Sequence, residues 1–129
     1  MARWWQYLVP KYGNFGGPGW SGGAMMDNYD EVDWFVRPTD SLDQCFHDHD
    51  RRYQFAIQEE DDGIIDEVDK LCKWIGADGV LISEMNNLSS DPKEWKIPPT
   101  AHSNAYAWFY RKAAIIIFEA KIILSHLIM

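Results

Sequence analysis

The side chains best suited to chemistry lie near the middle of the chain. His49 is followed directly by Asp50, and Tyr53 lies one helical turn after the histidine. A neutral imidazole can take a proton from water near neutral pH, because its pKa is ordinarily about 6.5. On a helix His49 and Tyr53 share the inward side, whereas Asp50 lies at its edge and can face a loop. The pattern predicts a buried base beside a carboxylate.

A helix from about Ser41 to Gln58 is predicted to position these residues. Apolar side chains recur at three- and four-residue steps and form one stripe with the histidine: Leu42, Cys45, Phe46, His49, Tyr53, Ala56 and Ile57. Pro38-Thr39-Asp40 followed by Ser41 and Gln44 is typical of a helix start, because a side-chain oxygen can accept from unpaired N–H groups. His47 lies outside the stripe and is expected to be solvated.

The stretch from Tyr12 to Gly23 is predicted to be a loop, because six of its twelve residues are glycine. Such a loop exposes backbone carbonyls, and carbonyl oxygens together with a carboxylate suit Ca²⁺. A phosphate-binding loop needs a Lys-Ser/Thr ending or a strand–loop–helix context, and this stretch has neither. A purely structural turn remains the alternative for the loop taken alone.

Loop and helix together resemble the phospholipase A2 superfamily. The matching patterns are Tyr-Gly-x-x-x-Gly-Pro-Gly-Trp from Tyr12 and Asp-x-Cys-x-x-x-His-Asp-x-x-Tyr from Asp43. The resemblance implies a mainly α-helical, phospholipase A2-like fold over residues 1–129 as a single domain. Its expected parts are two antiparallel core helices, a Gly-rich calcium loop and a long C-terminal helix.

The resemblance also implies an activity, the calcium-dependent hydrolysis of the sn-2 ester of glycerophospholipids at a membrane or micelle surface. His49 would be the general base that activates a water, with Tyr53 in the hydrogen-bond network behind it. Asp50 would be the calcium carboxylate. The other calcium ligands would be three backbone carbonyls, those of Phe15, Gly17 and Gly19.

Two other functions fit the same scaffold, a non-catalytic calcium- or lipid-binding relative and an assembly protein of a virion or complex. Retention of His49, Asp50 and the whole loop favours the enzyme. Secreted members of the superfamily carry cysteines where this chain has Gly16, Phe46 and Arg52. The sequence therefore resembles the disulfide-poor bacterial, phage or viral branch.

A second helix, Ile64 to Ile75, is expected to supply an acid for the other ring nitrogen of His49. Asp69 borders the apolar stripe of that helix and is predicted as this second catalytic acid. Asp66 points away from the stripe and is the reserve candidate. Acids in a first helical turn also commonly face water and favour the helix dipole.

Gly76-Ala77-Asp78-Gly79 is expected to break the second helix. A long last helix is predicted from Ser103 to about Leu127, with an apolar surface interrupted by Glu119, Lys121 and His126. A buried core helix is favoured over a lipid- or partner-facing one, and both are favoured over a membrane span, which needs about 20 apolar residues.

Three smaller questions concern other parts of the chain. Cys45 and Cys72 are expected to be neighbours in the core, with two free, buried thiols favoured over a disulfide.

Residues 24–37 are expected to be either a flap beside the substrate entrance or part of the core packing. Residues 1–11 are expected to form an aromatic helix or arm that caps the core or faces lipid.

Composition limits the classes of partner. The 129-residue chain is 47% hydrophobic and 15% aromatic, which is typical of a globular protein. Its net charge of −8 disfavours nucleic acid and strongly anionic membranes, unless a cation bridges the two surfaces. The N-terminus shows no secretory signal, so either the chain is made without one or a leader is already gone. Two cysteines are too few for a disulfide-stapled secreted scaffold, so we expect a reducing compartment or export by a route other than a signal peptide.

Overall fold

Three α-helices account for most of the structure, a computed structural model that describes residue 6 and residues 8–128. They are α1 (Ser41–Asp61), α2 (Glu67–Asn87) and α3 (Asn104–Ile128). A short antiparallel hairpin, β1 (Trp20–Ser21) and β2 (Ala24–Met25), precedes them. The prediction of a mainly α-helical protein is confirmed. Most of the predicted N-terminal arm, residues 1–5 and 7, lies outside the described residues.

Helix α1 begins where the sequence predicts it and continues one turn further. The side chain of Asp40 caps it by accepting a hydrogen bond from the backbone N–H of Asp43 at 2.9 Å. Of the predicted inward stripe, Ile57 is half-buried and the other six members are buried. The helix stops just before Gly63, which has a φ of +74°.

Helix α2 starts later than predicted and runs unbroken through Gly76 and Gly79, so the predicted break is wrong. A glycine inside a helix costs about 1 kcal/mol relative to alanine. That cost is offset here by packing, because the buried residues of α2 all follow the first glycine: Ala77, Asp78, Leu81 and Met85. By contrast, Ile64 and Val68 of the predicted apolar stripe are exposed.

Neighbouring helices run antiparallel. Near one end of the α1–α2 pair Glu60 contacts Lys70, and near the other Arg52 contacts Glu84. Helix α3 packs on α2 and its buried Arg111 donates a hydrogen bond to the carbonyl of Met85. The core between these elements contains the following buried residues: Tyr12, Phe15, Val32, Leu42, Cys45, Phe46, Leu81, Met85, Trp95, Ala107 and Ala114.

All three buried residues of helix α3 lie in its first half: Ala107, Arg111 and Ala114. The second half exposes a series of large apolar side chains: Ile116, Ile117, Ile123, Leu124, Leu127 and Ile128. The favoured prediction of a buried core helix is therefore wrong for this half, which contacts the core through Phe118 and Lys121 and leaves these apolar side chains exposed. None of the helices described here has the length and apolarity required to cross a membrane.

Residues 24–37 partly join the core. Val32 is buried and Trp34 stacks on Phe15, whereas Phe35 is 95% exposed.

The two cysteines are free, as favoured, but Cys45 is buried and Cys72 is exposed. The prediction that both thiols meet in the core is therefore wrong.

Candidate active site

The site is built around a histidine–carboxylate pair between α1 and α2. His49 Nε2 lies 2.7 Å from Asp78 Oδ1, and both residues are buried, at 6% and 1% exposed. Tyr53, one turn after His49, donates its hydroxyl proton to the same Oδ1 at 2.7 Å. The structure thus places Tyr53 in the hydrogen-bond network behind the histidine.

Helix α3 also contributes a partner to Asp78, in addition to His49 and Tyr53 of α1. Lys121 Nζ lies 3.0 Å from Asp78 Oδ2 and donates a hydrogen bond to the hydroxyl oxygen of Tyr53 at 2.7 Å. Burial alone would raise the pKa of Asp78, but the hydrogen bonds from His49, Tyr53 and Lys121 outweigh it and hold that pKa below its ordinary value. Asp78 is therefore a carboxylate at neutral pH.

An ionised Asp78 fixes the tautomer of a neutral His49. A carboxylate only accepts hydrogen bonds, so Nε2 must carry the proton and Nδ1 must carry the lone pair. Burial would lower the pKa of His49, but the neighbouring Asp50 and Asp78 have the larger effect, so the net result is a pKa above its ordinary value. The ring therefore presents a basic nitrogen on the side away from Asp78.

Asp69, the predicted partner of His49, lies elsewhere, and the prediction that it faces the histidine is wrong. The side chains of Asp66 and Asp69 form a capping box that satisfies backbone N–H groups at the start of α2, and both are exposed. Asp78 is absent from the predicted site residues because it lies within the segment that was expected to break the helix. Extending the helical spacing from Leu71 and Ile75 through the glycines places Asp78 on the inward face.

Asp50 lies on the other side of the imidazole. Its Oδ1 is 3.6 Å from His49 Nδ1, and its Oδ2 accepts a hydrogen bond from the Ser21 hydroxyl at 2.7 Å. Burial raises the pKa of Asp50, and only His49 and Ser21 act strongly against that rise. Within the described part of the chain no lysine or arginine pairs with this buried carboxylate.

The glycine-rich loop is tied to α1 by Asp43. Its carboxylate accepts hydrogen bonds from the backbone N–H groups of Asn14, Phe15 and Thr39 at 2.8–2.9 Å. Gly13 has a φ of +53°, and a Cβ at this position would clash with the Asp43 carboxylate. Only glycine permits this approach.

The predicted carbonyl ligands lie in this loop, and two of them accept hydrogen bonds from within the hairpin. The Gly17 carbonyl accepts from Trp20 N–H at 3.1 Å and the Gly19 carbonyl from Met26 N–H at 2.7 Å. Each carbonyl oxygen has a second lone pair, so both retain capacity for a cation. Part of the predicted loop is regular, because Gly22 and Gly23 form the turn of the β1–β2 hairpin.

The donor set fits a hard cation. Asp50 supplies a buried carboxylate whose partners among the described residues are His49 and Ser21, with no lysine or arginine, and the loop supplies backbone carbonyl oxygens. Oxygen ligands of these two kinds suit Ca²⁺. Across the described residues no three His, Cys, Asp or Glu side chains group into a metal site. A cation beside His49 would therefore depend on Asp50 and the loop backbone.

His47 takes no part in this cluster. Its side chain is 20% exposed rather than fully solvated, and its ring lies edge-on against Phe15 and Trp34. Its Nδ1 lies 2.9 Å from Asp48 Oδ1. His47 is therefore a natural control for His49 on the same helix.

A scan against protein-family models and searches of curated proteins and of solved structures found no match to this chain. The resemblance to phospholipase A2 consequently rests on the two sequence patterns and on the chemistry of the residues that carry them.

Proposed function

We propose that this protein hydrolyses the sn-2 ester of glycerophospholipids in a calcium-dependent reaction. The observation that carries the proposal is His49 held between two buried carboxylates with different surroundings. Asp78 is surrounded by donors and orients the ring, whereas Asp50 is left with capacity for a cation. An assembly protein has no evident use for such an arrangement.

The proposed reaction begins with a water at the free nitrogen of His49. Nδ1 accepts a proton from that water while the water oxygen attacks the ester carbonyl carbon. Asp78, hydrogen-bonded to Nε2–H, stabilises the imidazolium that forms. When the carbon–oxygen bond to glycerol breaks, His49 returns the proton to the departing alkoxide, and a fatty acid and a lysophospholipid result.

Asp50 and the carbonyls of Phe15, Gly17 and Gly19 are the proposed calcium ligands. The bound ion would polarise the ester carbonyl and bind the substrate phosphate. Asp43 supports this role indirectly, because its three backbone hydrogen bonds hold the loop and Thr39 against α1. Ser21 fixes one oxygen of Asp50 and leaves the other facing His49.

The apolar end of the molecule supports a lipid substrate. A cavity of about 190 Å³ between α2 and α3 is bordered by Leu71, Trp74 and Ile75, and reaches Asp78. Ile128, one of the exposed apolar side chains of the second half of α3, also lines this cavity. Large exposed apolar patches are typical of surfaces that contact lipid or protein partners.

The test is fatty-acid release from mixed phospholipid–detergent micelles. We expect the wild type to release fatty acid with calcium and to stop in a chelator. His49→Gln removes the base and should reduce the rate by at least about 100-fold. His47→Gln, the matched control, should retain the wild-type rate.

Circular dichroism of both variants separates loss of the base from loss of the fold. A folded His49→Gln variant that releases fatty acid at the wild-type rate would refute the proposal. Equal losses in His49→Gln and His47→Gln would also refute it, because His47 has no place in the proposed chemistry.

A further inference from the structure

Lys121 is the one contribution of α3 to the hydrogen-bond network behind His49 within the described residues. Its ammonium group reaches back from the mostly exposed half of the helix to Asp78 and Tyr53. We propose that Lys121 is a positioning residue, which holds Asp78 and Tyr53 in the orientation that His49 requires. The kinetic consequence rests on the proposed ester hydrolysis, whereas the structural consequence does not.

Lys121 determines the direction of the Tyr53 hydroxyl. A lysine ammonium group only donates hydrogen bonds, so the Tyr53 oxygen must accept from Lys121. The single hydroxyl proton of Tyr53 is then free to point at Asp78 Oδ1, 2.7 Å away. Without Lys121 the hydroxyl loses the partner that fixes this direction.

Lys121 also anchors the carboxylate of Asp78. Its Oδ1 accepts from both His49 and Tyr53, and its Oδ2 has Lys121 as its charged partner. Anchoring both oxygens fixes the plane of the carboxylate, and therefore the acceptor that holds the imidazole. Among the described residues Lys121 is the donor to this buried Oδ2, so its removal leaves that oxygen unpaired and lets the carboxylate rotate away from His49.

A purely structural role predicts something different. The Lys121 side chain is 48% exposed, and its ammonium group also lies over the aromatic rings of Tyr53 and Phe118. If it served only to dock α3, its loss would change stability without a selective effect on the histidine. The experiment must therefore report on His49 itself.

The kinetic arm compares Lys121→Met with Lys121→Arg on mixed micelles at saturating calcium. We expect Lys121→Met to lower kcat about 10-fold, because the change alters the orientation of Asp78. KM should stay within a factor of two, because methionine keeps most of the apolar length of Lys121 where that side chain borders the cavity. Lys121→Arg keeps charged donors and should recover most of kcat. The matched control is Lys112→Met, which removes a lysine that lies over Trp108 on the same helix.

The spectroscopic arm follows the Nε2 proton of His49 in protein labelled with ¹⁵N-histidine, assigned by its absence from His49→Gln. We expect slow exchange with water in the wild type, in Lys121→Arg and in Lys112→Met, because this proton is buried and bonded to Asp78. In Lys121→Met the exchange should be at least several-fold faster.

The two arms keep the inference separate from the proposed function. A wild type that hydrolyses no phospholipid refutes the proposed function, and the exchange rate alone then decides the role of Lys121. An unchanged exchange rate in Lys121→Met overturns the positioning role. If the wild type is active, an unchanged kcat in Lys121→Met also overturns the positioning role.

Discussion

Asp43 and Asp50 lie seven residues apart on one face of α1, and both point towards the glycine-rich segment, yet their surroundings differ. Asp43 is fully buried and accepts three backbone N–H groups. Asp50 is 8% exposed and accepts one hydroxyl, from Ser21, among the described residues. The first carboxylate is saturated by the fold, whereas the second has oxygen capacity left over.

This difference separates a structural acid from a candidate functional one. Burial raises the pKa of both groups, but backbone N–H groups counteract it at Asp43, and a histidine and a hydroxyl counteract it at Asp50. A buried carboxylate with few donors is costly for a fold unless something else compensates its charge. In our proposal that compensation is a calcium ion.

The largest expected effect is on stability at Asp43. Asp43→Asn places an NH₂ group against backbone donors and should lower the free energy of unfolding by about 3 kcal/mol. The isosteric change Asp50→Asn removes a charge without charged partners other than His49 and should cost less than about 1 kcal/mol without calcium. Urea unfolding in a chelator measures both. Equal losses in the two variants would remove the contrast between these acids.

Calcium should sharpen the same contrast. A ligand present at 100 times its Kd stabilises the folded state by about 2.7 kcal/mol. We expect this stabilisation in the wild type and not in Asp50→Asn, with Mg²⁺ much less effective because it requires a small octahedral set of ligands. Thermal unfolding at graded calcium concentrations measures it. A calcium response of wild-type size in Asp50→Asn would place the ion elsewhere.

Asp78 provides a third case, a buried acid saturated by side chains. Its pKa is below the ordinary value of about 3.9, so its contribution to stability is complete above that pH and is lost as pH falls through the lower folded-state value. We expect the wild type to be about 2 kcal/mol more stable than Asp78→Asn at pH 6. Urea unfolding from pH 6 to pH 2 should show this difference shrinking only below about pH 4. A difference that grows on acidification would contradict the ionised state of Asp78.

The two core helices show how far sequence reasoning reaches. In α1 the capping residues and the apolar period agree, so its start, its inward face and the placement of His49, Asp50 and Tyr53 could be predicted. In α2 local propensity and tertiary packing conflict. Two glycines suggested a break, but packing on α1 and α3 outweighed their cost and placed Asp78 against His49.

The remaining errors have a common physical origin. The apolar period of α3 indicates which side chains share a face, but it does not indicate whether another element covers that face. The exposure of large apolar side chains in its second half therefore could not be predicted from the sequence. Asp69 was assigned from its position on a helix face, whereas its side chain satisfies backbone N–H groups at the start of α2.

The most direct test of the account is a calcium titration of fatty-acid release from phospholipid labelled at the sn-2 chain, with wild type and Asp50→Asn compared. We expect the rate to rise with calcium and saturate in the wild type, and to stay at background at every calcium concentration in the variant. Undiminished wild-type hydrolysis in a chelator, or the same calcium dependence in both proteins, would contradict it.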